Sequence, residues 1–311
     1  MLTTLNKQRA EKTVTTITSM QQFKSGFVAI FGRPNAGKST LLNALVGEKM
    51  AIVSPKVQTT RHRIKAFYNT DSCQIIFSDT PGVIEPRYGL HRKMMQQVKN
   101  ALEDADAALL LYDLTEKNKE DADELFAGLN LKVPAIVVCN KADATDTGTV
   151  TEAIDFFKQR PYAKEVIAIS ALQKAGLESV LAAIVTLLPE GMPFFDAEDM
   201  SDLPTKFFVG ELIREHIYNL FQEEIPYQTA VIVQEFKEKT TLTKIVADIV
   251  VHRETQKFII IGENGKMIRE LGSRARQAIE EFIGRKVFLE LFVKVRPKWR
   301  DDERKLKEYG Y

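Results

Sequence analysis

Cysteine is scarce: the 311 residues hold two, Cys73 and Cys139, each inside an apolar, strand-like run. That spacing suits neither a disulfide framework nor a zinc site, and it points to a reducing, cytoplasmic setting. No apolar run approaches the roughly 20 residues that a spanning helix needs. The first 24 residues are polar and threonine-rich and lack the apolar centre of a secretory signal. Residues 1–24 are expected to be a disordered extension, with Met20 as an alternative start and a transit peptide left open. An excess of either charge is also missing: 43 Lys/Arg face 42 Asp/Glu, so bulk charge says nothing about partners. Distribution says more. From Lys266 to Arg300 ten basic residues face four carboxylates, a local basic surface in a neutral chain. The chain has no internal repeat and one phosphate-loop motif, which excludes a tandem-nucleotidase architecture.

What is present divides the chain in two. Apolar runs at 27–31, 63–69, 73–78, 107–112, 135–139 and 166–170 alternate with helical stretches after Lys38, Gly89, Lys119, Val150 and Gly176. Such alternation predicts an α/β domain over 25–188, with a mostly parallel sheet covered on both faces. The runs 63–69 and 73–78 have no helix between them and are expected to pair antiparallel at one edge. Residues 189–204, rich in proline and acids, read as a linker. Beyond them a helix at 207–221, strands at 227–236 and 242–251, a short segment QKFIII, a helix at 266–283 and a strand at 287–295 form an α+β module over 205–311.

Four motifs fall at the carboxyl ends of the first domain's strands, where an open α/β sheet binds ligands. Residues 32–40 (Gly32, Arg33, Pro34, Asn35, Ala36, Gly37, Lys38, Ser39, Thr40) match G-x-x-x-x-G-K-[ST] between a strand and a helix. Glycines let the backbone wrap phosphates, and amides at the helix start form an anion nest. Lys38 is expected at the β and γ phosphates and Ser39 on Mg²⁺. Asp79, Thr80, Pro81 and Gly82 form DTPG: Asp79 reaches Mg²⁺ through water, and the Gly82 amide meets the γ-phosphate. In NKAD, Asn140 and Lys141 precede Asp143, which accepts two bonds from guanine that adenine cannot offer. In SAL (Ser170, Ala171, Leu172) the Ala171 amide is expected at the guanine O6. These motifs in this order point to GTP and GDP as ligands.

Phosphoryl transfer needs positioning and charge neutralisation. Within 54–63, Thr60 is chosen to close over Mg²⁺, with Thr59 the alternative. Many small GTPases carry a water-orienting Gln directly after the DxxG glycine, whereas this chain has Val83. The attacking water must then be ordered by backbone groups, switch residues or a bound factor. Several GTPases with Asn at the position of Asn35 and an apolar residue after DxxG use a bound K⁺, and this resemblance implies a K⁺ site that would add positive charge near the β–γ bridge. Lys38, Thr60, Gly82 and Asn35 are therefore the catalytic candidates. Arg33, Arg61 and Arg87 are not assigned as fingers. The four histidines show no ligand or triad spacing and read as solvated or locally hydrogen-bonded.

In the second domain Gly262, Glu263, Asn264 and Gly265 form a G-x-x-G loop between helical segments. KH domains use such a loop to approach the nucleic-acid backbone. Ile268, Leu271, Ala275, Ile279 and Phe282 recur at helical spacing and should pack on the sheet, which leaves Lys266, Arg269, Arg274 and Arg276 for RNA.

Over residues 25–311 the chain resembles the Era family of ribosome-assembly GTPases. The resemblance rests on GRPNAGKSTLLNALVG (32–47), SPKVQTTRHRI (54–64), DTPG, NKAD, ELIRE (211–215), EIPY (224–227) and IGENGKMIRELG (261–272). It implies a P-loop GTPase domain followed by a type II KH domain. It further implies binding near the 3′ end of small-subunit (16S) ribosomal RNA and a part in 30S maturation. In some members it also implies peripheral association with the cytoplasmic membrane. A monomer is expected. Departures are the long N-terminus, Glu263 and the linker sequence. The rival readings are a tRNA-modification GTPase, which would need domains absent here, an RNA-binding scaffold that keeps GTP as a structural or regulatory ligand, and a membrane-associated interaction protein.

Overall fold

The computed structural model describes residues 23–311. The expectations for residues 1–22, Met20 included, lie outside the described residues. Lys24, placed in the extension above, instead opens the first strand.

The first domain contains β1 (Lys24–Gly32), α1 (Lys38–Val46), β2 (Ile64–Asn69), β3 (Cys73–Asp79), α2 (Gly89–Asp104), β4 (Ala107–Asp113), α3 (Lys119–Gly128), β5 (Ala135–Asn140), α4 (Thr147–Lys158), β6 (Ala163–Ala168) and α5 (Leu177–Leu187). The strands lie in the order β2-β3-β1-β4-β5-β6. All pairs are parallel except β2–β3, which is antiparallel at the edge as the missing crossover predicts. In β4 and β5 every residue is buried. Their near-continuous apolar sequence follows from helices on both faces: α1 and α5 pack on one side, α2, α3 and α4 on the other. The sixth strand ends earlier than expected, so Ser170 and Ala171 sit in the turn beyond it.

The second domain contains α6 (Thr205–Leu220), α7 (Ile225–Gln228), β7 (Ala230–Glu238), β8 (Thr243–Val251), α8 (Glu254–Ile261), α9 (Lys266–Ile283), β9 (Val287–Val295) and α10 (Glu303–Glu308). The three-stranded sheet has the order β7-β8-β9, with the last pair parallel. Helices α6 and α9 bury Val209, Ile213, Leu271 and Ile279 against Ile245 and Ile249. One expectation is corrected. The start of the strand expected at 227 is a helical turn, because Pro226 suits a first turn and cannot donate to a ladder. The segment QKFIII is helical, as expected for a G-x-x-G loop between two helical segments, and its first turn is capped by the Gln256 side chain on the His252 and Arg253 amides.

Residues 189–204 are not a free tether. They run along the open edge of β2, where Phe67 N donates to Met200 O at 3.0 Å. The Gln74 carboxamide accepts from Phe194 N and Phe195 N and donates to Phe195 O. Phe195 stacks on Phe67 with centroids 4.1 Å apart. An exposed edge strand invites pairing with other chains, and this strap covers it.

Candidate nucleotide site and its contact with the second domain

The phosphate loop leaves β1 and enters α1 through Gly37, whose φ is 95°. A Cβ there would lie 2.3 Å from the Asn140 amide nitrogen, so position 37 admits no side chain. Asn140 is the joint of the site: it donates to Ala36 O at 2.9 Å and accepts from Ala171 N at 3.0 Å. One carboxamide thus ties three motifs that are far apart in sequence. Gly82 also packs closely, since a Cβ on it would meet Pro34 N at 3.0 Å. Lys38 Nζ donates to Gly32 O and Arg33 O at 3.2 and 2.9 Å. Burial lowers its pKa to about 8, against the pull of Asp79.

Ser39 Oγ donates to Asp79 Oδ2 at 2.7 Å, and Thr60 Oγ1 lies 2.8 Å from Ser39 Oγ and 3.0 Å from the same carboxylate oxygen. Thr59 turns the other way, to Lys56 O at 2.7 Å, which favours Thr60 over the alternative. Burial raises the Asp79 pKa while Lys38 opposes the shift. Its Oδ1 is buried without a hydrogen-bond partner among the described residues. An all-oxygen set with an orphaned carboxylate oxygen suits a hard cation such as Mg²⁺. Asn35 adopts a left-handed φ of 66° and donates to Pro55 O at 2.8 Å, leaving its Oδ1 without a partner among the described residues. Asn35, Lys38, Ser39, Thr40 and Thr60 line a cleft of about 320 Å³.

At the base end Lys141 has a φ of 68° and pairs with Asp113, and Asp143 is exposed. Thr80 sends its hydroxyl to Ile30 O, so it and the buried Pro81 serve as scaffold. The side chains of two expected contacts point elsewhere. Arg33 pairs with Glu116 and Asp121, both at 3.3 Å, because those carboxylates flank the loop on the α3 side. Leu172 is 78% exposed, since its turn projects beyond β6.

The loop that carries Thr60 is gripped by the second domain, which the sequence did not disclose. Arg61 is 1% exposed and donates to Thr229 O at 2.7 Å, Pro226 O at 2.8 Å and Tyr218 Oη at 3.3 Å. Arg214, equally buried, reaches Thr59 O and forms a two-pronged pair with Glu211. Burial is the largest influence on Glu211 and opposes its ionisation, yet the charge and hydrogen bonds of Arg214, with His62 and Arg61 nearby, together outweigh it and the Glu211 pKa falls. Glu215 accepts from Val53 N and from Lys49, and Tyr218 donates to Gln58 O at 2.9 Å. His62 stacks on Tyr311 at 4.5 Å, and burial lowers its pKa to about 4. It is therefore a neutral packing group, not a solvated one. His91 is also buried, its Nδ1 accepting from Arg87 N. The segments ELIRE and EIPY owe their character to this contact. A signal existed in the repeated charge of ELIRE on a largely apolar helix.

In the G-x-x-G loop Gly262 has φ 70° and ψ 173°, and a Cβ on it would strike Met267 at 2.5 Å. Glu263 and Asn264 are exposed, and Arg269 closes the loop by donating to Gly265 O at 3.1 Å and to Asn264 O. Arg274 is paired with Glu270, whereas Lys266 and Arg276 are exposed without an ion pair among the described residues. Beside the loop α9 and β9 frame a groove of about 440 Å³ lined by Arg269, Gly272, Arg276, Phe288 and Leu291. Ile268 also faces this groove and does not join the core as expected; Met267 takes the core position.

A P-loop GTPase domain followed by a KH domain is the class that this fold and these sites define. The family model for a 50S ribosome-binding GTPase matches residues 27–141, and that for a KH domain matches 224–300. The chain is 43% identical over 292 residues to GTPase Era of Geobacter metallireducens, covering 93% of this chain and 98% of that one. It is also 43% identical to GTPase Era of Leuconostoc citreum over 293 residues, covering 93% and 97%. A tyrosine-to-alanine variant of Aquifex aeolicus Era bound to GDP·AlF₄⁻ superposes with a TM-score of 0.89 at 41% identity, covering 93% of this chain and 99% of that one. A structure of Era with MgGDPNP and nucleotides 1506–1542 of 16S ribosomal RNA matches with the same score, identity and coverage. The chain belongs to the Era family of GTPases.

Removing Arg61 strands two buried carbonyls and leaves a void between the domains. Arg61→Ala should cost about 3 kcal/mol in denaturant unfolding, and Arg61→Lys somewhat less, because an ammonium cannot fork to both carbonyls. An Arg61→Ala chain that unfolds at the parental midpoint would show that the contact contributes nothing.

Proposed function

We propose that this chain is a cytoplasmic, monomeric GTPase of 30S assembly, with a GTPase domain at 25–188 and a KH domain at 205–311 joined by 189–204. In this reading the KH domain binds the 3′ region of 16S ribosomal RNA. The observation that carries it is a juxtaposition of neighbours. Thr60 hangs over Ser39 and Asp79, while the next residue, Arg61, is buried against the KH-domain carbonyls. A loop held at both ends suits a protein whose nucleotide state gates RNA binding.

Ser39 and Thr60, with Asp79 through water, would hold Mg²⁺, which when bound neutralises phosphate charge. Lys38 and the amides around Gly37 and Gly82 would bind the phosphates, and Asp143 with Ala171 would read guanine. Asn35, whose Nδ2 donates to Pro55 O and whose Oδ1 has no partner among the described residues, supports a K⁺ position at the same phosphates. Turnover should then be faster in K⁺ than in Na⁺ at equal ionic strength, with the difference lost in Asn35→Ala. Equal rates for the parent in both salts would remove the K⁺ site and leave GTP binding untouched.

For RNA, Gly265 offers a clean test. Its φ is 74°, yet a Cβ there meets nothing nearer than 3.9 Å, and Asp tolerates this conformation better than most residues. Gly265→Asp should therefore fold and hydrolyse GTP while binding a 3′-end 16S RNA fragment about tenfold or more weakly, since it sets a carboxylate against phosphate. Parental affinity should fall with salt as Lys266 and Arg276 release counterions. A folded Gly265→Asp protein that binds this RNA as tightly as the parent would reduce the loop to a turn.

A further inference from the structure

Val83, which follows the DTPG glycine, is half-buried against the hydrophobic core and carries no polar group, so the usual water-orienting group is missing there. A residue with a carboxamide side chain does border the cleft. Gln58 lines it together with Lys38, Thr60 and Gly82. Its backbone is held in the left-handed region at a φ of 58°, a conformation that is unfavourable for glutamine and that concentrates at functional sites. Two tyrosines secure it. Tyr218 of the KH domain donates to its backbone carbonyl at 2.9 Å, and Tyr88, from the segment after DTPG, donates to its Oε1 at 3.3 Å. The Nε2 amide, with two N–H groups, has no partner among the described residues.

We propose that Gln58 is the water-positioning residue of GTP hydrolysis in this chain, with Tyr88 and Tyr218 as the residues that position it. In the reaction the water oxygen bonds to the γ-phosphorus as the bond from that phosphorus to the bridging oxygen of GDP breaks. The water proton passes to the released phosphate. Gln58 holds the attacking water and one γ-oxygen in line, and it forms no covalent bond. The inference rests on the reading that Lys38 and Gly82 face the γ-phosphate. It also assigns the KH domain a part in hydrolysis, because Tyr218 fixes the backbone from which the carboxamide projects.

Single-turnover hydrolysis and fluorescent-GDP binding should be measured on the full chain for the parent, Gln58→Ala, Gln58→Glu and Tyr88→Phe. The double variant Gln58→Ala with Tyr88→Phe completes a cycle. Gln58→Ala should slow turnover about tenfold or more with nucleotide affinity within about twofold. Gln58→Glu keeps the shape and the Tyr88 contact but removes the N–H donors, and should be as slow. Tyr88→Phe should slow the parent yet add nothing in the Gln58→Ala background. Parental turnover in Gln58→Ala, a loss of rate matched by a loss of affinity, or additive effects of the two positions would each overturn the proposal. A parent that binds GTP without hydrolysing it would defeat the proposed function as well.

Discussion

A guanidinium stays charged at any pH the protein meets, so burying one requires acceptors fixed in advance. Arg61 is such a group. Its carbonyl partners, Pro226 and Thr229, belong to one short stretch around α7, and its phenolic neighbours, Tyr218 and Tyr311, come from α6 and the C-terminal segment. Three separate pieces of the second domain therefore have to be in register before Arg61 can leave water. Once they are, Thr60 one residue earlier has little freedom, and neither has the loop back to Val53, which Glu215 holds from the same helix as Tyr218.

The chemistry of the cleft follows from that constraint. Ser39 and Asp79 are fixed by the sheet and by α1, whereas Thr60 and Gln58 lie on a loop whose backbone the second domain holds at Gln58 O and Thr59 O. Phosphoryl transfer depends on positioning more than on reactive side chains. A domain that holds the positioning loop can thus influence the rate without touching nucleotide. The C-terminal segment adds a second brace, as Trp299 and Leu306 pack with Leu90 and Met94 of α2, which follows the DTPG loop.

Much of the nucleotide site was legible in the sequence, because each motif is local: Gly37 and Lys38 need only the strand before them and the helix after them. Asn140 was legible as a motif member but not as the joint between loop and SAL turn, since that role exists only once three strands align. Arg61 and Tyr218 carry no local signature. Their roles arise from contacts across 150 or more residues of separation, as with the Arg61 bonds to Tyr218 and Pro226. The side chains of Arg33 and Leu172 were less legible: motif membership fixes the backbone and leaves the side chain to whatever lies nearby. Ile268 shows the limit of periodicity, because one helical step separates a core position from a groove.

Linkage between nucleotide and RNA tests the two-ended grip on the Thr60 loop most directly. The affinity for a 3′-end 16S RNA fragment should differ between the protein loaded with a non-hydrolysable GTP analogue and the protein loaded with GDP. The ratio of analogue to GDP affinity should change by the same factor when RNA is added, as reciprocity demands. In Arg214→Ala, which releases Thr59 O without entering either site, both factors should fall toward one. Equal RNA affinities in the two nucleotide states of the parent, or a coupling factor unchanged by Arg214→Ala, would contradict it.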